Sequence, residues 1–276
     1  METLQTKTIG QVSVQTAVSS LVGQMQTEER SCVQHGPYVS SFWGLGGGFW
    51  TDCPACEKQR RDQEQIEAVR QAEHNRAQAR MQNALQRAAI PARFADRRFE
   101  NFEQHCDGAA HALTSMQEYA GNFAETLKAG RCMLLVGTVG AGKTHLAAAT
   151  AHSVIAQGYS AVFASVMSAV RSVKETYRRD SDRTERDAID ALIAPDLLIL
   201  DEVGVQFGSE AEKLILFEIV NGRYESVKPT ILLSNLNIEG LKAYMGERAV
   251  DRLREGGGRQ IVFDWPSYRA NVSRGG

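Results

Sequence analysis

From about residue 92 onward, short apolar runs alternate with longer segments of helical period. The runs at 131–137 (RCMLLVG), 161–165 (AVFAS), 196–202 (DLLILDE), 230–235 (TILLSN) and 259–265 (RQIVFDW) predict five strands. In DLLILDE the apolar positions are successive, not alternate, which suits a strand buried on both faces. Between the strands, 143–158 (KTHLAAATAHSVIAQG), 168–179 (SAVRSVKETYRR) and 212–226 (EKLILFEIVNGRYES) predict helices. Strand–helix alternation implies an α/β fold, a parallel sheet with helices on both faces.

Ahead of this pattern, residues 57–89 contain no Gly or Pro and are rich in Gln, Glu, Arg and Ala, all but continuous helix formers. One helix there would be about 50 Å long at 1.5 Å per residue. Its apolar positions are sparse (Ile66, Val69, Ala77, Met81, Ala84, Leu85), so it reads as a solvated connecting helix with a thin stripe, or one that docks on a partner. Pro91 is expected to end it. Residues 1–56 hold three of the five cysteines and all the tryptophans except Trp265. The chain therefore reads as three parts: a module at 1–56, a helical linker at 57–90 and an α/β domain at 91–276.

Composition narrows the function classes. A 276-residue chain with 43% apolar residues has room for one large domain and a small module, and is not wholly disordered. With a net charge of −2, nucleic-acid contact must come from a local patch. No run approaches the roughly 18 apolar residues of a membrane span. The N-terminus lacks a basic start followed by an apolar run, so no signal peptide and no membrane association are expected. Five unevenly spaced cysteines argue against a disulfide framework and for a cytoplasmic protein whose clustered cysteines serve metal.

The strongest motif is Gly137-Thr138-Val139-Gly140-Ala141-Gly142-Lys143-Thr144, which fits G-x-x-x-x-G-K-[ST] without a mismatch between an apolar strand and a helix. Such glycines let backbone N–H groups curl round a phosphate at a helix N-terminus. Lys143 would reach the β- and γ-phosphates of ATP, and Thr144 would ligate Mg²⁺. The strand ending in Asp201-Glu202 puts two carboxylates in the crevice where such sheets bind ligands. Asp201 would hold the Mg²⁺ and Glu202 would polarise the attacking water. Asn235, closing the next strand, would orient that water or contact the γ-phosphate; alone, an Asn at a strand end is more often a turn residue, and its weight comes from the order of the motifs.

With these motifs in order, the sequence resembles the DnaC/IstB branch of AAA+ ATPases, and within it the DnaC-type replicative helicase loaders. The residues that carry the likeness are IPARFADRRFENF, GTVGAGKTHLAAA, VMSAVRSVKETYR, LLILDEVGVQ, LLSNLN, GERAVDRLREGG and FDWPSYR, which span about residues 80–270. The resemblance implies an AAA+ P-loop ATPase core whose ATP sits between subunits, with an arginine finger in trans. Arg252 is the first candidate finger and Arg248 the second, although both also read as surface charges paired with Glu247 and Asp251. Arg269 would sense nucleotide. A finger in trans requires self-association, up to six copies on the helicase. The resemblance also directs Lys174, Tyr177, Arg178 and Ser209 toward single-stranded DNA, with Arg171 and Arg179 nearby. The plainer reading is an amphipathic helix with Val170, Val173 and Tyr177 packed inward. About 40 residues follow the SNLN motif, too few for a separate lid domain.

Cys32-x-x-His35 and Cys53-Pro-Ala-Cys56 form two ligand pairs with zinc-knuckle spacing, flanking SFWGLGGGFW, which reads as a hairpin. Four N/S ligands make a closed structural zinc site, in a module too small to fold on apolar burial alone. The plainer reading is four unpaired residues in a tail. By the resemblance, this module and the long helix hold the helicase, although the tryptophans suit nucleic acid too. The function expected is ATP-dependent loading of the hexameric replicative DNA helicase onto single-stranded DNA in replication initiation. An IstB-like transposition helper acting on duplex DNA and a helicase-binding adaptor using ATP only structurally are the alternatives.

Overall fold

The computed structural model describes residues 26–44, 47–204 and 209–267. Arg269 lies outside the described residues. The chain divides into two compact units, residues 1–76 and 77–276.

In the first unit, β1 (Thr27–Cys32), β2 (Gly36–Trp43) and β3 (Phe49–Trp50) form an antiparallel sheet in that order. The expected hairpin is present, with Phe42 opposite Trp50 and Trp43 opposite Phe49. The Phe42 and Trp50 rings lie 5.4 Å apart, and the Arg30 guanidinium sits 4.5 Å from the Trp50 ring. Helix α1 (Pro54–Arg87) begins inside the second cysteine pair. Proline suits a first turn, where its missing N–H would have had no intrahelical partner, so Cys56 projects from the start of the helix. Residues 58–76 of α1 are exposed, as the sparse stripe predicts.

The second unit contains α2 (Asp107–Gly121), α3 (Phe123–Lys128), β4 (Met133–Gly137), α4 (Lys143–Ala156), β5 (Ala161–Ser165) and α5 (Val166–Lys174). It continues with α6 (Glu185–Ile193), β6 (Leu197–Val203), α7 (Glu210–Glu225), β7 (Thr230–Ser234), α8 (Ile238–Met245), α9 (Glu247–Arg254) and β8 (Arg259–Phe263). The five strands are parallel, in the order β5-β6-β7-β4-β8. Met133 and Leu135 enter a core with Met116, Leu146 and Phe263, while Leu134 and Val136 enter a second core with Leu216, Leu241 and Val250. The two-residue period of a strand thus feeds both faces, which is why the runs are apolar throughout. No separate lid follows β8 among the described residues, and no helix among them is long and apolar enough to cross a membrane.

Two helix boundaries differ from expectation. Helix α1 stops at Arg87, before Pro91, because Ala88 turns inward, is fully buried and accepts a 2.7 Å hydrogen bond from the Phe163 N–H. Ala89 then takes a left-handed conformation, φ +51°. The helix predicted over 168–179 starts at Val166, capped by the Ser165 hydroxyl, and ends at Lys174. A 3₁₀ turn at Glu175–Tyr177 follows, so Arg178 and Arg179 are off the helix. Val170 and Val173 are buried as the plainer reading had it, but Tyr177 is 59% exposed.

Arg223, 1% exposed, is the largest fully buried side chain. Its guanidinium donates to the carbonyls of Leu192, Ile193, Pro195, Asp196 and Pro229 and to the Thr230 hydroxyl. Burial pulls its pKa down to about 10. Arg223→Leu should lower unfolding free energy by about 3–5 kcal/mol, because buried acceptors lose their donor together. A urea midpoint equal to that of the parent chain would show that solvent or other donors replace it.

Candidate functional site

The segment joining β4 to α4 is the phosphate loop. Gly137 has φ +120°, and a Cβ there would come within 2.3 Å of the Phe263 carbonyl oxygen. Gly142 has φ +102°, and its Cβ would meet the Phe102 ring at 2.7 Å. Both positions therefore require glycine, for conformation and for space. Lys143, the first residue of α4, donates from Nζ to the carbonyls of Gly137 (2.7 Å) and Thr138 (2.8 Å), which holds the ammonium within the loop.

Across the sheet, the Thr144 hydroxyl donates to Asp201 Oδ2 at 3.1 Å. The Glu202 N–H donates to Asp201 Oδ1 at 2.7 Å. Burial pushes the Asp201 carboxyl up, against these two donors. A hydroxyl and a half-buried carboxylate brought to hydrogen-bond distance are the oxygen donors a hard divalent cation needs, so Thr144 and Asp201 fit Mg²⁺. The β6–β7 register breaks between Leu200 and Val203, and Glu202 takes φ +61°. This bulge re-aims the exposed Glu202 side chain away from the regular pleat, a feature common beside active sites. The Ser234 hydroxyl secures it, donating to the Val203 carbonyl at 2.6 Å.

Strand β7 lies between the loop strand β4 and the acid strand β6, so Asn235 emerges between the two motifs. With Gly137, Thr138 and Val139 it lines an open cleft of about 500 Å³. The structure thus brings together the loop Gly137–Thr144, Asp201, Glu202 and Asn235 at the carboxyl ends of the strands.

The arginine candidates are placed differently. The Arg252 guanidinium lies 5.1 Å from the Phe217 ring and 5.4 Å from the Tyr224 ring, and its Nη1 is buried without a hydrogen-bond partner among the described residues. Arg248, one turn earlier on α9, is exposed.

The residues assigned to DNA meet at one corner. Ser209 caps α7 in a reciprocal box with Glu212, and Glu212 Oε1 accepts from Lys174 Nζ at 2.7 Å. Lys174 and Arg178 border a depression of about 250 Å³. The Tyr177 hydroxyl donates to Glu185 at 2.7 Å, while the ring stays exposed.

In the first unit, the ligand atoms of Cys32, His35, Cys53 and Cys56 all lie within 4.8 Å of one another. His35 Nδ1 is 3.3 Å from Cys56 Sγ, 3.7 Å from Cys32 Sγ and 3.8 Å from Cys53 Sγ, and the Cys32 and Cys56 sulfurs are 3.5 Å apart. A tetrahedral zinc with bonds near 2.0–2.3 Å has ligand–ligand edges of about 3.5–3.8 Å. The four residues fit that ion, and all are free thiols or imidazole. The Gln34 backbone and then the His35 side chain pull the Cys32 thiol down to about 6, while the contact with Cys32 pushes the Cys56 thiol up to about 11, so one thiol of this pair gives up its proton before the other.

Sequence reasoning missed several contacts around the loop. The Trp265 indole donates to the Ala141 carbonyl at 3.0 Å. His145 Nε2 lies 2.9 Å from the Arg98 carbonyl oxygen, and Phe102 packs edge-on to His145. FDWPSYR and IPARFADRRFENF were the signals, since both contain aromatics that local strand or helix patterns do not need.

The model of the IstB-like ATP-binding proteins matches residues 55–253. The chain belongs to that family. The replicative helicase loader DnaC of Escherichia coli K12 is 33% identical over 213 residues, covering 77% of this chain and 85% of DnaC. DnaC of Buchnera aphidicola (subsp. Baizongia pistaciae) is 34% identical over 193 residues, 70% of this chain and 77% of that one. A crystal structure of the DnaC helicase loader superposes with a TM-score of 0.57 at 22% identity, over 62% of this chain and 99% of the other. The 77–276 unit is the parallel α/β sheet that the alternation of strands and helices implied, and it carries the P-loop fold that the resemblance to AAA+ ATPases implied.

Proposed function

We propose that this protein is a cytoplasmic ATP-dependent loader of the hexameric replicative helicase, placing it on single-stranded DNA in replication initiation. The observation that carries the reading is the kinship with DnaC over most of both chains, joined to a phosphate loop with half-buried Asp201 and exposed Glu202 beside it. The backbone N–H groups of 137–144 and Lys143 bind the phosphates. Thr144 and Asp201 would hold Mg²⁺, which would supply positive charge beside the phosphates. Glu202 polarises the attacking water, and Asn235 orients it. Arg252, with Arg248 as second candidate, completes a neighbouring copy's site, which makes the working form an assembly of up to six copies on the helicase. The two rings beneath Arg252 support a preset guanidinium.

In this reading zinc at Cys32, His35, Cys53 and Cys56 builds the 1–56 module, which with the 57–90 helix grips the helicase, while the 91–276 domain hydrolyses ATP. The Tyr177 ring offers a base-stacking face, and Lys174, Arg178 and Ser209 border the strand's backbone. Lys174 already pairs with Glu212, so DNA phosphate must compete with that carboxylate.

Native mass spectrometry with a bacterial replicative helicase and ATP tests the reading. The expected species is one helicase hexamer with several copies of this chain, each carrying one zinc. Absence of any complex, together with preferential binding of duplex DNA, would favour the transposition-helper alternative instead.

A further inference from the structure

We infer that Trp265 is a positioning residue for nucleotide: its indole N–H fixes the phosphate loop at the Ala141 carbonyl. The inference rests on the loop at 137–144 being the ATP site.

The loop carbonyls have two kinds of partner: those of Gly137 and Thr138 accept from Lys143, and that of Ala141 accepts from the Trp265 indole. Ala141 is 1% exposed, so its carbonyl has little access to water. The indole Nε1–H, a donor with no acceptor capacity, meets that carbonyl at 3.0 Å. Trp265 is itself 6% exposed, so donor and acceptor are both buried and each satisfies the other.

The ring is held on two sides. It lies 4.8 Å from Phe263. It also crosses Gly108 in the first turn of α2 so closely that a Cβ there would come within 2.7 Å of it. A second tie runs parallel to it, from the Thr138 N–H to the Phe263 carbonyl at 2.7 Å. The β8 end of the chain thus grips the loop at its second and fifth residues, Thr138 and Ala141. The Trp265–Ala141 tie spans 124 positions in the chain and adds to the Lys143 bonds that hold the loop from within.

The test uses the full-length chain and the Mg²⁺ complex of the non-hydrolysable analogue AMPPCP. Trp265→Phe keeps an aromatic ring and removes the donor. Calorimetric affinity should fall about fivefold, the worth of one net hydrogen bond. A second readout asks for more than structural support. The chain has three tryptophans, so W43F/W50F leaves Trp265 as the sole indole. Its emission should change saturably with AMPPCP, at the calorimetric midpoint, and should not change when Lys143→Ala is added. Unaltered affinity in W265F, or constant emission while calorimetry registers binding, would overturn the inference. The emission arm stands even if W265F does not fold. Failure of the parent chain to bind AMPPCP would instead overturn the phosphate-loop reading, and this inference with it.

Discussion

Glu202→Gln should bind ATP as well as the parent chain does and hydrolyse it about 10²- to 10⁴-fold more slowly, the usual contribution of a positioned general base. The division of labour between the two acids predicts this. Both Asp201 oxygens are engaged, one by the Thr144 hydroxyl and one by the Glu202 N–H, which ties that carboxylate to the metal position. The Glu202 carboxylate makes no hydrogen bond among the described residues and is exposed on the bulge. Glutamine keeps the length and shape but cannot take a proton. Phosphate release in the presence of DNA and helicase measures the loss, with calorimetry for binding. Turnover equal to the parent's would remove Glu202 from the chemistry.

Stripping zinc should unfold the first unit while leaving ATP binding in the second intact. Between residues 26 and 56, only Ser40 and Cys53 are buried among the described residues, so the three-stranded sheet has almost no apolar core to hold it. A structural zinc site is worth about 10–16 kcal/mol in apparent binding free energy, far above what such a sheet supplies. Chelation, or Cys53→Ser, should make residues 26–56 sensitive to protease and abolish helicase binding. Protease resistance unchanged after the metal is shown to be gone would mean that the hairpins stand without it.

Much of this was legible in sequence because it is local. The strand runs, the phosphate loop and the paired acids each depend on neighbours within about ten positions. The cysteine pairs were legible through spacing, although only the fold brings Cys32 to within 3.5 Å of Cys56. Long-range contacts were opaque. Arg223 sits in an ordinary helical period, and nothing in EKLILFEIVNGRYES says that its charge turns inward. The stop of α1 at Arg87 depends on Phe163, far along the chain. The bulge at Asp201-Glu202 depends on how β7 pairs with β6, and DLLILDE alone predicts an unbroken strand. The outward Tyr177 ring follows from a 3₁₀ turn that the helical period of 168–179 conceals.

The guanidinium of Arg223 joins the end of α6, the approach to β6 and the start of β7. All three lie at the amino ends of those strands, the opposite pole of the sheet from the nucleotide. Opening any one of them breaks hydrogen bonds that the others share, so this pole opens as a single cooperative unit and belongs among the last regions to exchange its amide protons. A shape change driven by nucleotide at the carboxyl pole is therefore expected to leave this amino pole unchanged.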